Sequence, residues 1–406
     1  MIAAQNFRLS GIALPKDAPG MLDEVCEHFV EHSEVQRNGN LVLLKSEVGT
    51  AGIRLEEGKL LIDLSCTTEE TLQVTRTMLA EHLFYFAGED PFELTWSDPS
   101  TLYRPPNLQE ARVISAEDVT PRMRRVKFTC DDIEPFVGGD MHLRILVPPK
   151  GRTPVWPGLQ QNGRIAWPQG EDELVVRAYT IRRVDVERRE LWIDFLQHPK
   201  PGVATPGADF ARDAEPGQIV GLMGPGGGDT PSAESILFVG DESALPAIAR
   251  IAEEVPAGTR MQAIIEIADG AEEQPLPTSG SLDVRWLYRN DYPAGASGVL
   301  VETARAAIDR MDSQTSCGWP AKRTMFAPSA ACSRAADMTG RRCTRPGTGN
   351  GTDRPHRIRS DPLPMTSGRP PRGGRPLPSR PTGPANSLMP YGMSCPPLTS
   401  MIWPMM

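Results

Sequence analysis

No Cys-x-x-Cys pair occurs anywhere in the chain: its seven cysteines stand apart at Cys26, Cys66, Cys130, Cys317, Cys332, Cys343 and Cys395. Such scatter argues against a zinc site or a disulfide framework and fits thiols kept in a reducing compartment. Long apolar runs are missing as well. Nothing approaches the roughly 20 residues of a membrane helix, and Met1 to Pro15 lacks the basic-then-apolar order of a secretory leader. A cytoplasmic location without membrane insertion is the expectation. Basic residues are outnumbered, 43 Lys plus Arg against 52 Asp plus Glu, for a formal net charge of −9. An acidic body disfavours nucleic acid as a partner. Glutamate disappears after Glu302, and Met311 to Met406 carries thirteen Lys plus Arg against four Asp.

The 39% hydrophobic content supports real cores, and 406 residues allow two or three domains. From about Pro19 to Trp96 the pattern is that of a small α+β unit. Met21 to Val30 has helical spacing, and Leu41 to Leu44 and Leu60 to Leu64 read as strands. Thr68 to Phe86 reads as a helix opened by Thr67 or Thr68. Asn38-Gly39 and Glu57-Gly58 supply hairpin turns. His28 and His32 form an i,i+4 pair and His82 lies on the second helix, but no third ligand at zinc spacing accompanies them, so no metal is expected.

Trp96 to Asn107 is a linker by composition. Beyond it Ala111 to Ile114, Arg124 to Thr129 and His142 to Val147 are short strands between Pro/Gly-rich turns, which suggests an antiparallel barrel. Lys150 to Gly170 looks like an exposed insertion. Next comes Arg177-Ala178-Tyr179-Thr180-Ile181-Arg182, at the end of a β-branched run. A flavin dinucleotide needs a cation for its pyrophosphate, a flat ring against the isoalloxazine and a small hydroxyl near N5. Arg177, Tyr179 and Thr180 can supply them in order. Arg122, Arg124, Arg125 and Lys127 form a basic run that either attracts an anionic ligand or is a solvated face.

From Ser235 the period changes to alternating strand and helix: Ile236 to Val239, Ala244 to Val255, Met261 to Ile267, Val284 to Tyr288 and Val299 to Ile308. That alternation means a parallel, nucleotide-binding type of sheet, with Gly240-Asp241-Glu242-Ser243 at the carboxyl end of its first strand, where ligands bind. Arg289, past the third strand, is either a cation for a ribose 2′-phosphate or a solvated arginine.

The ordered set Arg177 to Arg182, Asp194 to His198, Gly202-Val203-Ala204, Gly221 to Gly227 and Phe238 to Ile248 resembles the siderophore-interacting protein family. Its members are flavin-dependent ferric-siderophore reductases of the ferredoxin-NADP reductase superfamily. The resemblance spans about residues 108 to 310. Preceding it, the first segment looks like a domain of unknown function that also accompanies siderophore-interacting regions elsewhere. The resemblance implies FAD and NAD(P)H as cofactors and a ferric siderophore as substrate. Hydride would pass from nicotinamide to flavin, and single electrons from flavin to chelated Fe(III). It places His198 and Gly202 to Ala204 beside the FAD diphosphate, with Gly240, Asp241 and Ser243 in the nucleotide site. Thr180 and Ser243 then stand at the reacting centre. Pro199 and Phe210 depart from the glycine and tryptophan expected at those positions. The rival readings are a flavin- and siderophore-binding protein without turnover, and a flavin reductase with another acceptor. A monomer is expected.

The expected boundaries are 1–97 for the α+β domain, 108–232 for the barrel, 233–313 for a partial nucleotide-binding domain and 314–406 for a tail. After about Asp312 the periodicity vanishes and Pro, Arg, Gly and Ser dominate, a composition of disorder. Read in another frame, Thr315 to Asn350 permits a buried strand, a charged amphipathic helix and an aromatic strand like the family's closing segment. The expectation is therefore an out-of-frame tail, and a sheet that stops after its third strand.

Overall fold

The structure is a computed structural model that describes residues 6–30, 33–98, 104–198, 202–290, 298–314 and 323–326. The first unit contains β1 (Phe7–Pro15), α1 (Ala18–Phe29), β2 (Glu34–Asn38), β3 (Leu41–Ser46), β4 (Gly49–Glu56), β5 (Lys59–Cys66), α2 (Glu69–Ala87) and β6 (Phe92–Trp96). Its six-stranded sheet has the order β2-β3-β4-β5-β1-β6, paired antiparallel throughout. Alternation along β1 and β5 turns Leu9, Ala13, Leu60, Ile62 and Leu64 toward the helices, where they meet Leu22, Val25, Leu79 and Leu83. Thr68 caps α2 reciprocally with Thr71, one of the two positions, Thr67 or Thr68, that the sequence offers. The strands β1, β2, β4 and β6 were not read from the sequence; polar or glycine-containing stretches such as Glu34–Asn38 and Gly49–Glu56 carry weak period-2 signals.

The second unit contains β7 (Leu108–Thr120), β8 (Met123–Cys130), β9 (His142–Val147), β10 (Gly158–Leu159), β11 (Ile165–Ala166), β12 (Val175–Asp185), β13 (Glu190–Leu196), α3 (Pro206–Asp213) and β14 (Ile219–Gly226). Six strands close a barrel in the order β12-β13-β8-β7-β14-β9. Inward residues Val126, Phe128, Leu143, Ile145, Ile181, Ile193 and Phe195 fill it. Phe210 of α3 packs on Phe195 and stacks at 6.4 Å on Phe128, so a smaller ring serves where tryptophan was expected. The insertion is not simply an exposed loop. Its strands β10 and β11 form a hairpin, and Ile165 is buried with Leu108, Leu146, Leu174 and Met223.

The third unit runs β15 (Ser235–Asp241), α4 (Leu245–Glu254), β16 (Arg260–Ile267), β17 (Ser281–Tyr288), α5 (Val299–Gln314) and β18 (Arg323–Phe326). Its parallel sheet has the order β17-β16-β15-β18. The expectation of a sheet ending at its third strand is corrected here: β18 pairs in parallel with Ile236 to Val239 of β15. The remainder of the expected tail, 327–406, lies outside the described residues. Among the described residues no helix is long and apolar enough to cross a membrane.

Candidate functional site

β12 organises the site. Tyr179 faces the barrel end and its ring meets Phe195 at a centroid distance of 4.3 Å. Its hydroxyl lies over Gly207 in the first turn of α3, where any Cβ would overlap it. Burial pushes the Tyr179 phenol up to about 12, so it stays protonated. Arg177 shares that face two residues back, is exposed, and donates from Nη1 to Val176 O at 2.7 Å. Among the described residues no carboxylate is paired with it.

The first turn of α3 carries one carboxylate, Asp209. Thr205, its N-cap, makes no side-chain capping bond; its hydroxyl and amide are both taken by Asp209, at 3.2 and 2.8 Å. The first-turn amides are thus left without a capping side chain, the arrangement that suits a phosphate. Gly202, Val203 and Ala204 lie exposed just before it, with Gly202 at φ 74°. His198 is exposed, its Nδ1 3.1 Å from Leu196 O. Pro199 lies outside the described residues. A free cation, an aromatic face, a small-residue loop and an uncapped helix start are a donor set that fits a flavin dinucleotide.

Thr180 points to the opposite face, with its hydroxyl 3.4 Å from His142 Nδ1. His142 was not singled out from the sequence, because a histidine opening a strand carries no distinguishing spacing. Beside it, Arg250 of α4 is 3% exposed and donates to Ile181 O, Gly138 O and Glu254. With Arg182 bonded to Glu253 at 2.6 Å, Arg250 fastens the third unit to β12. At the other contact Glu272 accepts from Thr120 Oγ1 and the Arg122 amide.

Burial, aided by the Arg250 cation, pushes the His142 imidazole down to about 4, while burial pushes the nearby Asp140 carboxyl up to about 6. Unfolded, they titrate near 6.5 and 3.8. As pH falls from 6.5 to 4 the unfolded histidine gains a proton that the folded one resists, which lowers stability. Between pH 6 and 3.8 the folded Asp140 gains a proton that the unfolded one does not, which raises stability. The two contributions oppose each other. Asp140→Asn removes the second, so the melting temperature of that variant, measured relative to the parent, should drop as pH goes from 6 to 4. A gap that stays constant over that window would contradict the assignment.

At the nucleotide end, Gly240 is buried, and Asp241 accepts from the Ser243 amide at 2.9 Å and from its hydroxyl at 2.5 Å. This closes the turn between β15 and α4 and presents the Ser243 lone pairs to solvent. Arg289 stands elsewhere than a phosphate-binding cation would. It is buried, with Nη1 and Nη2 at 2.7 and 2.6 Å from the two Glu242 carboxylate oxygens. Nearby Glu266 and Asp241 add negative charge. The basic run is likewise spent on local pairs: Arg125 with Asp194, Lys127 with Glu117 and Arg124 with Asp118. Arg125 and Lys127 share one face, over Trp192 at 5.0 and 4.6 Å. His28 and His82 rings lie 4.8 Å apart in the first unit, His32 lies outside the described residues, and no metal-holding group occurs among those described.

Residues 112–229 match the siderophore-interacting FAD-binding domain, residues 233–324 the siderophore-interacting protein domain, and residues 13–97 an uncharacterized protein family conserved in bacteria. Ferric vibriobactin reductase ViuB of Vibrio cholerae is 31% identical over 186 residues, 45% of this chain and 66% of its own. An uncharacterized protein of Mycobacterium tuberculosis is 41% identical over 116 residues, 28% of this chain and 40% of its own. The chain thus spans less than two thirds of the length of either relative. A siderophore utilization protein from T. fusca is similar at 28% identity and a TM-score of 0.47, covering 60% of this chain and 89% of the other. Matched across both its barrel and its α/β unit, the chain belongs to the siderophore-interacting protein family.

Proposed function

We propose that the chain is an FAD-containing, NAD(P)H-dependent ferric-siderophore reductase. The observation that carries the reading is the grouping on one barrel end of Arg177, Tyr179, the exposed 202–204 loop and the uncapped start of α3. When bound there, FAD supplies the hydride acceptor and the one-electron donor to chelated Fe(III). Arg177 and the α3 amides would hold its diphosphate, Tyr179 would offer a ring face, and Thr180 would present a hydroxyl oriented by His142. Ser243, fixed by Asp241, would stand at the nicotinamide. With Arg289 already neutralised by Glu242, the reading gives that residue no part in choosing between NADH and NADPH. Reduced iron is held far less tightly by siderophores, so the chain needs no iron ligand of its own.

The purified protein should take up FAD and show flavin absorbance bands. After reduction by dithionite under anaerobic conditions, it should be reoxidised on addition of a ferric siderophore. A protein that does not take up added FAD would sink the flavin reading. One that binds FAD but is not reoxidised by ferric chelates would leave only the binding function.

A further inference from the structure

The first unit grips a part of the barrel that stands directly behind the flavin strand. At the tip of the β10–β11 hairpin, three backbone groups are each met by a side chain of that unit. Arg76 Nη2 donates to Gln161 O at 2.6 Å, Trp96 Nε1 donates to Asn162 O at 2.8 Å, and Glu81 Oε1 accepts from the Ile165 amide at 2.8 Å. Gly163 sits between them at φ 90°, and a Cβ there would lie 3.2 Å from both Arg76 Cγ and Trp96 Nε1. Only glycine meets both conditions comfortably. Arg164 completes the grip, with its guanidinium 4.6 Å from the Phe84 ring centroid. Arg76 is 1% exposed, so this is a filled slot and not a grazing contact.

The hairpin in turn supports β12. Trp156, Leu159, Ile165 and Trp167 pack with Leu174 and Val176, the residues that lead into Arg177. A second link runs through charge. Arg144 lies opposite Ala178 in the β9–β12 register, between Arg177 and Tyr179, and while desolvation lowers the pKa of its half-buried guanidinium, the Glu81 carboxylate raises it.

We propose that the amino-terminal unit is a clamp: it holds the hairpin and, through it, keeps the flavin strand in register, so that all three units contribute to the flavin site. The clamp stands on the contacts above, while its effect on flavin rests on the FAD reading.

The test uses the full chain, with Trp96→Phe, which removes one donor and keeps the ring, and Arg76→Leu. Lys16→Ala, which breaks only the exposed Lys16–Asp90 pair, is the control. Hydrogen exchange of residues 159–166 should quicken about tenfold or more in the first two variants, the loss expected for one charged or buried hydrogen bond. Exchange of β3 and β4 should stay as in the parent. FAD should dissociate several-fold faster from both variants and at the parental rate from Lys16→Ala. Unchanged exchange of 159–166 would overturn the clamp. Faster exchange with unchanged FAD dissociation would overturn its link to the flavin strand. If the parent itself takes up no FAD, the functional reading fails, while the exchange data still decide the clamp. Should Arg76→Leu not fold, Trp96→Phe carries the test alone.

Discussion

Arg177→Ala should raise the FAD dissociation constant by roughly 10- to 100-fold, and Tyr179→Ala by a similar factor. A charge-assisted contact is worth about 1.5–3 kcal/mol, and each 1.4 kcal/mol is about tenfold in affinity. Arg177 has no carboxylate partner among the described residues, so its removal should leave the melting temperature of the FAD-free protein nearly unchanged. Tyr179 differs, because its ring also fills space against Phe195, and its loss should lower that temperature as well. Titration of FAD-free protein with FAD, followed by flavin fluorescence, measures both affinities. The geometry at α3 makes a sharper demand. A Cβ at Gly207 meets the Tyr179 hydroxyl first and ring carbons only at 3.0 Å and beyond. Gly207→Ala should therefore weaken FAD binding, and Tyr179→Phe should rescue much of that loss when combined with it. Strictly additive effects of the two substitutions would show that they do not press on each other.

The second large effect is one of stability. Arg289 and Glu242 form a pair whose side chains are 7% and 2% exposed, so removing either partner strands a charge away from water. Arg289→Met or Glu242→Leu alone should each cost about 3–5 kcal/mol, while the double variant should recover most of that loss. Denaturant unfolding of the three variants provides the comparison. The ratio of NADH to NADPH turnover should remain where it stands in the parent for any of them that folds. A selective loss of NADPH use in Arg289→Met, with stability intact, would restore this arginine to the 2′-phosphate role considered for it from sequence.

Much of the architecture was legible because it is written in local periods. The β-branched strands of the barrel, the Thr68 cap of α2 and the strand-helix alternation after Ser235 each follow from spacing along a single element. The placement of Arg177, Tyr179 and Thr180 was legible too, since they are neighbours on one strand and their alternation alone sorts their faces. What escaped was whatever depends on two distant segments meeting. β2 and β6 became strands only through their sheet neighbours, having too little apolar alternation of their own.

The same division separates what the sequence determined by itself from what only tertiary structure decided. By itself the sequence determined the three-part order of units and the sorting of Arg177, Tyr179 and Thr180 onto the faces of β12, because both are properties of contiguous residues. Tertiary structure alone decided the state of each charge. It put Arg289 into a buried pair with Glu242, 47 positions earlier, and spent the basic run on local carboxylates. It also set His142 beside Thr180 and folded the insertion into the grip of Arg76, Glu81 and Trp96, across 66 to 85 positions of chain. Electrostatic environment and close packing are sums over spatial neighbours, and a linear pattern does not specify which neighbours those will be.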